Sequence, residues 1–373
     1  MKDEGWHDVG DAAELSKQPV QELLVGRTKI ALSCVGTSFG VIHGACNHVG
    51  GPLGKGTLDG DYIVCPWHNW KFHRITGEGE PGYREDRVPR FEFKVEGGRL
   101  LVSDTPATGR LKAAHAPHPL DRDTRRAPGP LRVVGISTTV MNNQYQRYST
   151  SEALLESALE HARVTHSLDT RLIRLRELSF RACEGYYSKS AQACTWPCSI
   201  SQMDPADGMH AVYENLVFWS DVVLVATPFR WGAASSLYFK MAERLNTVQN
   251  QITLRNRVML NNKVAGLIVT GGQDNIQAVA GQMPQFFGEL GMQFPQFPYI
   301  AHSRGWSAED MERNVEVVKH SDELHDGARS LLDRCLDLAE RLQRSAAPEF
   351  ARAGRKASGL ERRNQPAPVR RRE

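Results

Sequence analysis

The 373-residue sequence has no apolar run long enough to cross a membrane, which takes about 18 consecutive apolar residues. Its first residues, Met1 to Glu4, lack the hydrophobic segment of a secretion signal. The seven cysteines are an odd number, which, without an export signal, argues against a disulfide framework. These absences exclude a membrane-spanning or disulfide-stabilised protein and predict a cytoplasmic one.

The sequence also has little net charge, +3 in total, and that excess is local. Residues 346–373 contain eight Lys/Arg and three Asp/Glu, so the rest of the chain is slightly acidic. A charged segment with few apolar residues cannot bury enough surface to fold. We therefore expect a basic disordered tail at 346–373, with a solvated terminus favoured over a nucleic-acid-binding one. The remaining length is enough for two domains with separate cores.

The most specific pattern consists of two short pairs of cysteine and histidine. Cys46 and His48 form a Cys-x-His pair, and Cys65 and His68 form a Cys-x-x-His pair that begins after sixteen further residues. Each pair offers one thiolate and one imidazole. Two thiolates on one iron and two imidazoles on the other form the ligand set of a Rieske 2Fe-2S cluster. Zinc also takes two cysteines and two histidines, and remains the alternative.

The residues around these pairs favour the cluster. Gly50, Gly51, Pro52 and Leu53 follow the first pair, and Trp67, Trp70 and Phe72 surround the second. Over about its first hundred residues the chain resembles the Rieske domain family. The resemblance implies an all-β domain that holds the cluster through Cys46, His48, Cys65 and His68.

The resemblance also indicates which Rieske proteins are the nearest. In the high-potential proteins of respiratory complexes a disulfide joins the two ligand loops, and the corresponding positions here are Gly51 and Trp67, which cannot form it. The resemblance is therefore to Rieske ferredoxins and ring-hydroxylating oxygenases, and it implies a potential toward the low end of the range. Asn69 departs from that group, which usually has glycine after the second histidine.

The pattern of apolar residues divides the chain into four parts. Residues 1–105 contain short β-rich runs, with a hairpin signal at Gly97-Gly98, and predict an all-β domain. Residues 106–130 contain five prolines and no hydrophobic period, which predicts a linker. Residues 131–345 form the second domain, and the tail follows at 346–373.

In the second domain, buried strands alternate with helices. Such alternation predicts a parallel sheet covered by helices on both faces, with ligands bound beyond the carboxyl ends of the strands. The strands are expected at 131–137, 170–176, 221–227, 263–270 and 293–300. The helices are expected near 151–162, 206–219, 235–245, 276–288 and 308–344, with Pro284 interrupting the fourth and a break in the last.

Three loops after these strands are candidates for a single pocket. The first is rich in hydroxyl groups, which together with a helix N-terminus favour an anion such as phosphate, although Ser and Thr are also ordinary helix caps. The loops after the third and fourth strands contain glycines and aromatic residues that suit a flat ring. Over residues 131–300 this half resembles the flavodoxin-like NAD(P)H-dependent FMN reductases, close to the iron-sulfur flavoproteins, and the resemblance implies a doubly wound five-stranded parallel sheet of order 2-1-3-4-5.

The resemblance assigns roles to these loops by position. The expected phosphate ligands are Ser137, Ser149, Thr150 and Ser151, although the long 138–147 insertion departs from the family. The expected flavin contacts are Pro228, Phe229, Arg230, Trp231, Gly232, Ala233, Thr270, Gly271, Gly272 and Gln273. Arg230 is the candidate for electrostatic tuning of the reduced flavin, with an arginine paired at the surface as the alternative.

Three further cysteines lie in the second domain. The iron-sulfur flavoproteins bind a 4Fe-4S cluster through a compact cysteine motif at this place. Here Cys183, Cys194 and Cys198 are widely spaced and only three, whereas such a cluster normally takes four thiolates. We expect unmodified thiols in a structural loop rather than a second cluster.

The two expected cofactors together predict a function. A hydride donor delivers two electrons at once, a 2Fe-2S cluster accepts one, and FMN can exchange electrons in either way. We therefore expect an NAD(P)H-dependent FMN oxidoreductase. Its flavin takes a hydride from NADH or NADPH and exchanges single electrons with the Rieske cluster to reduce a small-molecule or protein acceptor.

Two other hypotheses remain. The chain is alternatively a fused ferredoxin and flavodoxin, an electron carrier for a partner oxygenase or reductase without a substrate of its own. A redox sensor whose basic tail binds nucleic acid is the third, and it would require affinity that depends on the state of the cluster. The resemblance also implies a homo-oligomer, because members of the reductase family bind FMN at subunit contacts.

Overall fold

The computed structural model describes residues 5–113, 118–126, 129–272, 275–304 and 307–346, which form two structural units. The first unit runs to His118 and also includes Glu184–Thr195, whereas the second contains Pro119–Cys183 and the chain from Trp196 onward. The predicted tail lies, from residue 347, outside the described residues. Among the described residues no helix combines the length and apolarity needed to span a membrane.

The first unit is built from three antiparallel sheets of three strands each, in the orders β1-β9-β8, β2-β3-β4 and β5-β6-β7. This confirms the predicted all-β domain. Its elements are β1 (Trp6–Asp11), α1 (Ala12–Leu15), β2 (Val20–Val25), β3 (Thr28–Val35), β4 (Ser38–His43), β5 (Thr57–Asp59), β6 (Tyr62–Val64), β7 (Lys71–His73), β8 (Phe91–Glu96) and β9 (Arg99–Pro106).

Strand β3 is buried on both faces and joins two hydrophobic clusters. Because successive side chains of a strand point to opposite faces, Ile30 and Leu32 pack into one cluster and Ala31 into the other. The second cluster also contains Cys46 and Cys65. The two candidate ligand sulfurs are therefore held by the packing of this core.

The first unit continues into the segment that the sequence predicts to be a linker. The N–H of Ala107 donates to the carbonyl of Arg90 at 2.8 Å, and Arg87 and Leu111 exchange two backbone hydrogen bonds at 2.8 and 2.9 Å. Proline content indicates that a segment is irregular, but it does not show which backbone groups the segment binds. These hydrogen bonds were therefore not predictable from the sequence. The boundary of the first unit lies beyond Leu111 and not at 105.

The second unit contains a parallel sheet of order β11-β10-β12-β14-β15, with β13 paired antiparallel to β12. This is the order 2-1-3-4-5, as predicted for a flavodoxin-like domain. The strands are β10 (Arg132–Ser137), β11 (Asp169–Arg174), β12 (Val222–Arg230), β13 (Ala233–Ala234), β14 (Val264–Gly271) and β15 (Tyr299–Ser303). The helices are α2 (Thr150–Val164), α3 (Ser199–Met203), α4 (Met209–Tyr213), α5 (Ser236–Arg244), α6 (Asn246–Arg255), α7 (Ile276–Glu289), α8 (Ala308–His320) and α9 (Asp322–Ala346).

Helices cover both faces of this sheet. On one face, Leu155 of α2 and Leu332 of α9 pack in a cluster with Leu224 of β12. On the other, Met241 of α5 and Phe287 of α7 pack in a second cluster. Burial on both faces is why the strands are continuous apolar runs in the sequence.

Some element boundaries differ from the sequence prediction. The fifth strand begins at Tyr299 and not at residue 293, because Pro295 and Pro298 have no N–H to donate to a neighbouring strand. Pro284 does not interrupt α7, which runs through it to Glu289. The break expected in the last helix is present at Ser321, between α8 and α9.

Candidate cofactor sites

The two ligand loops of the first unit close in the same way. In each, the N–H of the cysteine donates to the carbonyl five residues later, at 2.9 Å from Cys46 and 2.8 Å from Cys65. In each, the carbonyl of the same cysteine accepts from the N–H four residues later, at 3.0 Å. Two loops with different spacing between cysteine and histidine are thus held by one hydrogen-bond pattern.

The shared pattern explains the asparagine that departs from the Rieske group. The fourth residue after each cysteine has a positive φ, +81° at Gly50 and +59° at Asn69. Glycine adopts this left-handed conformation freely, and asparagine is among the few other residues that tolerate it. Asn69 therefore keeps the loop closed in the position that glycine usually takes.

The Nδ1 atoms of the two candidate histidines converge. The Nδ1 atoms of His48 and His68 lie 2.9 Å apart. The Nε2 atom of His68 lies 2.6 Å from the carbonyl oxygen of Ala193. Because a carbonyl can only accept, this Nε2 carries the proton and the lone pair of His68 is on Nδ1, which is the tautomer a metal ligand requires.

The two candidate sulfurs are buried, with Cys46 3% and Cys65 1% exposed. A hydrogen bond from the Cys46 thiol, assisted by the backbone N–H groups of Trp67 and His68, lowers the pKa of Cys65 to about 7, although burial opposes this. The same hydrogen bond and burial raise the pKa of Cys46. The two thiols therefore lie within hydrogen-bond distance of each other, and the thiolate is the form of cysteine that binds metal. This donor set, two sulfurs beside two convergent imidazole nitrogens, fits a Rieske cluster.

The structure also shows why the two ligand loops are not cross-linked. A Cβ atom placed on Gly51 would lie 2.6 Å from the sulfur of Cys65 and 3.2 Å from the ring of Trp67. Positions 51 and 67 therefore face each other, as the resemblance implies, but neither is a cysteine. No disulfide bond joins any of the cysteines among the described residues.

A cation from the predicted linker supports the first ligand loop. Arg110 donates to the carbonyl of Ala45 at 3.1 Å and to the side-chain oxygen of Asn47, and its Nη2 lies 2.9 Å from Nδ1 of His43. Asn47 in turn donates to the carbonyl of Leu111 at 2.8 Å. Sequence reasoning missed Arg110 because it lies 62 positions after His48, in a proline-rich segment.

In the second unit, hydrogen bonds join the three predicted loops at the carboxyl end of the sheet. Ser235, after β13, donates its hydroxyl to the carbonyl of Thr138, after β10, at 2.6 Å. The hydroxyl oxygens of Thr150, at the start of α2, and Thr270, in β14, lie 2.6 Å apart. The three predicted loops therefore lie together at this edge of the sheet.

Three hydroxyl groups cluster at the N-terminus of α2. The oxygen of Thr139 lies 2.7 Å from that of Ser149 and 3.4 Å from that of Ser151. Ser149 is the N-cap and accepts from the N–H of Glu152. Hydroxyls and the positive end of a helix dipole together suit a phosphate group. Thr139 was missed by the sequence prediction, although it lies in the same loop.

The predicted phosphate ligand Ser137 has a different partner. Its hydroxyl donates to the carboxylate of Glu152, which also accepts from Arg174 at 2.6 Å and from Arg176. Burial raises the pKa of Glu152, but hydrogen bonds from Arg176, Ser137 and Arg174 outweigh it and bring the pKa to about 2. Glu152 was missed, although Ser149-x-x-Glu152 is a recognisable capping-box pattern.

The predicted flavin loop after β12 is a tight hairpin. Arg230 pairs with Ala233, and the turn residues Trp231 and Gly232 have positive φ angles of +54° and +71°. This is the type I′ arrangement, which costs glycine nothing but strains a bulky side chain. The indole of Trp231 is 89% exposed, whereas the ring of Phe229 is 2% exposed and packs in the core. The turn thus presents an aromatic ring at the expense of backbone strain.

The other predicted flavin residues vary in exposure. Arg230 and Gly232 are exposed, Pro228, Ala233 and Gly271 are half-buried, and Thr270 and Gly272 are buried. Gln273 lies outside the described residues. A Cβ atom on Gly271 would lie 2.6 Å from the Phe229 ring, so Gly271 allows the third and fourth loops to pack closely.

Replacing Trp231 with asparagine is expected to change stability and binding in opposite directions. Asn-Gly is the preferred type I′ pair, so relief of about 1 kcal/mol of strain should raise the unfolding free energy of the FMN-free protein. Loss of the indole should weaken FMN binding by about 10-fold. Denaturation of the FMN-free protein and fluorescence titration with FMN measure the two effects.

Phe297→Asn is the matched control, because Phe297 also has a positive φ, +53°, and is 71% exposed. It should gain stability and keep its affinity for FMN. Unchanged FMN affinity in Trp231→Asn would remove Trp231 from the flavin site.

The three remaining candidate cysteines are half-buried. Cys183 and Cys198 belong to the second unit and Cys194 to the first. Cys335, the only other cysteine in the second unit's described residues, is fully buried between α9 and the sheet. It is therefore a packing residue and not a fourth ligand beside them.

Comparison with known proteins gives a family match for each of the two domains. The Rieske 2Fe-2S domain family matches residues 5–92, and the NADPH-dependent FMN reductase family matches residues 132–307. Ferredoxin CarAc of Metapseudomonas resinovorans is 33% identical over 101 residues, which are 26% of this chain and 92% of that protein. The oxygenase component of 3-ketosteroid-9-alpha-monooxygenase from Rhodococcus rhodochrous is 30% identical over 29% of this chain.

These likenesses cover different shares of the proteins compared. This chain spans about a quarter of the length of the 3-ketosteroid-9-alpha-monooxygenase components, 24% and 27% for two of them. A solved structure of RosB with bound 8-demethyl-8-formylriboflavin-5'-phosphate is similar over 65% of this chain and 96% of that one, with 19% identity and a TM-score of 0.45.

The fold and the two sites define a redox protein with one iron-sulfur and one flavin domain. The chain belongs to the Rieske 2Fe-2S domain family over residues 5–92 and to the NADPH-dependent FMN reductase family over residues 132–307. It therefore combines a Rieske domain with an FMN reductase domain, and the cofactors of these domains are a Rieske 2Fe-2S cluster and FMN.

Proposed function

We propose that this protein oxidises NADPH or NADH at its FMN and passes the electrons singly through the Rieske cluster to an acceptor, which is a small molecule or a redox partner protein. The observation that carries the proposal is the presence, in one chain, of a site for a two-electron carrier and a site for a one-electron carrier. A hydride brings two electrons, the cluster takes one, and the flavin supplies the conversion.

The chain's own residues provide binding and electrostatics in this proposal. The hydroxyl cluster of Thr139, Ser149 and Ser151 would hold the phosphate of FMN, and the indole of Trp231 would offer aromatic surface to a ring. Arg230, which is exposed beside Trp231, would stabilise the negative charge of the reduced flavin. No side chain is required as a nucleophile.

Titration with NADPH under anaerobic conditions tests the proposal. Two electrons fill the flavin and one fills the cluster, so complete reduction should consume about 1.5 NADPH per chain. In stopped-flow mixing, the flavin absorbance should fall first and the cluster absorbance second. NADH is the parallel probe, and the faster of the two identifies the donor.

The alternative function is an electron carrier without a substrate of its own. The match over 92% of Ferredoxin CarAc favours it, because that relative is a ferredoxin. A carrier would show no flavin reduction by either nucleotide until a redox partner was added. That result, with full FMN and iron content, would overturn the proposed reductase activity. A homo-oligomer, which the reductase family resemblance implies, is tested by the mass of the protein in solution.

A further inference from the structure

The second unit contains three side chains with metal-binding atoms that neither cofactor site uses. They are His161, in the last turn of α2, His166, just beyond the end of that helix, and Asp333 of α9. One ligand atom from each lies within 4.8 Å of the other two. All three residues belong to the same structural unit, and α2 and α9 pack together in one of its hydrophobic clusters.

The end of α2 determines where the two histidines lie. Thr165 is the C-cap of the helix, and its N–H donates to the carbonyl of His161 at 2.9 Å. The N–H of Leu168 donates to the carbonyl of Ala162 at 3.0 Å, and Ser167 just before it has a positive φ of +53°. The chain therefore turns back at the end of the helix, and the second imidazole lies beside the first, with ring centroids 5.1 Å apart.

The carboxylate of Asp333 joins the two imidazoles. Its Oδ1 atom lies 3.0 Å from Nε2 of His161 and 2.8 Å from Nε2 of His166. Bonds of about 2.0 Å at tetrahedral angles place the ligand atoms of a zinc ion about 3.3 Å apart. Each nitrogen-to-oxygen distance is therefore within about half an ångström of the spacing that zinc requires.

A hydroxyl group beside His161 allows its neutral imidazole to act either as a hydrogen-bond donor or as a metal ligand. A carboxylate only accepts, so without a metal the Nε2 atom carries the proton and Nδ1 has the lone pair. The hydroxyl oxygen of Thr165 lies 3.0 Å from this Nδ1 and can donate to it. When a metal takes the lone pair of Nε2, the proton is on Nδ1, and the same hydroxyl accepts it.

The three side chains are accessible to a hydrated ion, and their surroundings favour a cation. The side chains of His161, His166 and Asp333 are 18%, 35% and 46% exposed. A fourth coordination position therefore remains for water. The carboxylate supplies a negative charge, and the C-terminal end of α2 adds the negative pole of the helix dipole.

We propose that His161, His166 and Asp333 bind a divalent transition metal ion of the zinc type, which fastens the end of α2 to α9. Two imidazoles and one carboxylate supply three protein ligands, as in known zinc sites with one open position. Sites with nitrogen and oxygen ligands bind Zn2+ more tightly than Mn2+ or Fe2+. The inference does not depend on the proposed function, because it uses neither flavin nor cluster chemistry.

Calorimetric titration with Zn2+ tests the proposal on the protein with its cluster and FMN in place. The unaltered protein should bind about one Zn2+ per chain at these ligands, with a micromolar dissociation constant. In His166→Ala the affinity should fall by at least ~100-fold, because one ligand is lost. In Thr165→Val it should fall by about 10-fold, because only a hydrogen-bond partner of a ligand is lost.

His320→Ala is the matched control. His320 of α8 also pairs with a carboxylate, that of Glu316 at 3.4 Å, but among the described residues it belongs to no group of three ligands. This variant should bind Zn2+ as the unaltered protein does. Equal affinity in His166→Ala and His320→Ala would overturn the proposal, and so would a lack of Zn2+ binding by the unaltered protein.

Cu2+ provides a second readout that identifies the ligands. FMN and the Rieske cluster have no EPR signal when both are oxidised, so a bound Cu2+ ion is observed alone. Pulsed EPR should detect two coupled imidazoles in the unaltered protein and one in His166→Ala. A copper signal without imidazole coupling in the unaltered protein would contradict the ligand assignment.

Amide hydrogen exchange measures the fastening of α2. Saturation with Zn2+ should slow exchange at Thr165 and Leu168, whose N–H groups close the end of the helix, by at least ~10-fold. His166→Ala should show no such slowing. Zn2+ that binds to the unaltered protein without slowing this exchange would overturn the fastening role. If His166→Ala does not fold, Asp333→Asn takes its place, and normal Zn2+ affinity in that variant overturns the site.

Discussion

His68→Ala is expected to abolish the Rieske EPR signal and to reduce the iron content from about two atoms per chain to nearly none. His68 supplies one of the two convergent Nδ1 atoms and lies buried in its loop, so no water or neighbouring side chain replaces it as a ligand. The FMN content should be unchanged, because the flavin loops belong to the other unit. NADPH should still bleach the flavin.

His7→Ala is the control for this prediction. His7 lies in β1 of the same unit and makes a surface contact with Asp104 at 3.5 Å, far in sequence from either ligand loop. It should retain its iron and its EPR signal. Metal analysis and EPR of the two variants purified in parallel make the comparison. Full iron with an unchanged spectrum in His68→Ala would contradict the ligand assignment.

Glu152→Gln is expected to lower the unfolding free energy at pH 7 by about 3 kcal/mol, because the 5%-exposed guanidinium of Arg176 loses its buried carboxylate partner and keeps only the exposed Glu177, 3.8 Å away. The folded-state pKa of Glu152 is about 2, below the usual value near 4.3. A carboxylate with a lowered pKa stabilises the fold above its unfolded pKa and loses this contribution as the pH falls through its folded pKa. The difference between protein and variant should therefore be full above about pH 5 and shrink toward pH 2.

Glu156→Gln is the matched control on the same helix. Glu156 also accepts a hydrogen bond from Arg174, but its side chain is 49% exposed. An exposed ion pair contributes at most about 1 kcal/mol, so this variant should remain close to the unaltered protein. Urea unfolding at pH 7 and pH 3 measures all three proteins. An equal loss of unfolding free energy in both variants would show that the buried ion pair of Glu152 contributes no more to stability than the exposed pair of Glu156.

The architecture was largely predictable because its signals are local. Each ligand pair lies within four residues, so a short loop brings its cysteine and its histidine to the same cluster wherever the rest of the chain goes. The sheet of the second unit was visible as apolar runs, since strands covered on both faces carry few polar residues. The strand order came with the family resemblance, not with the periodicity.

The flavin loops show where a pattern is insufficient. Phe229 and Trp231 are both aromatic and two residues apart, and the sequence assigns both to the ring. The hairpin turn sends Trp231 outward while Phe229 packs under the sheet. In a continuous strand, residues two apart point to the same face, so periodicity alone would place both rings together. Strand β12 ends at Arg230, and the positive φ of Trp231 in the turn directs its side chain away from that of Phe229.

By itself the sequence determined the two-domain organisation, and it predicted the candidate ligands of the cluster and the candidate flavin loops, because each depends on residues close together along the chain. Only the tertiary structure decided what surrounds those ligands. Arg110 reaches the first loop from the predicted linker, and Ala193 accepts from His68 across 125 residues. The backbone carbonyl of any residue can accept a hydrogen bond, whatever the side chain of that residue, so a contact of this kind cannot be recognised from the amino-acid sequence.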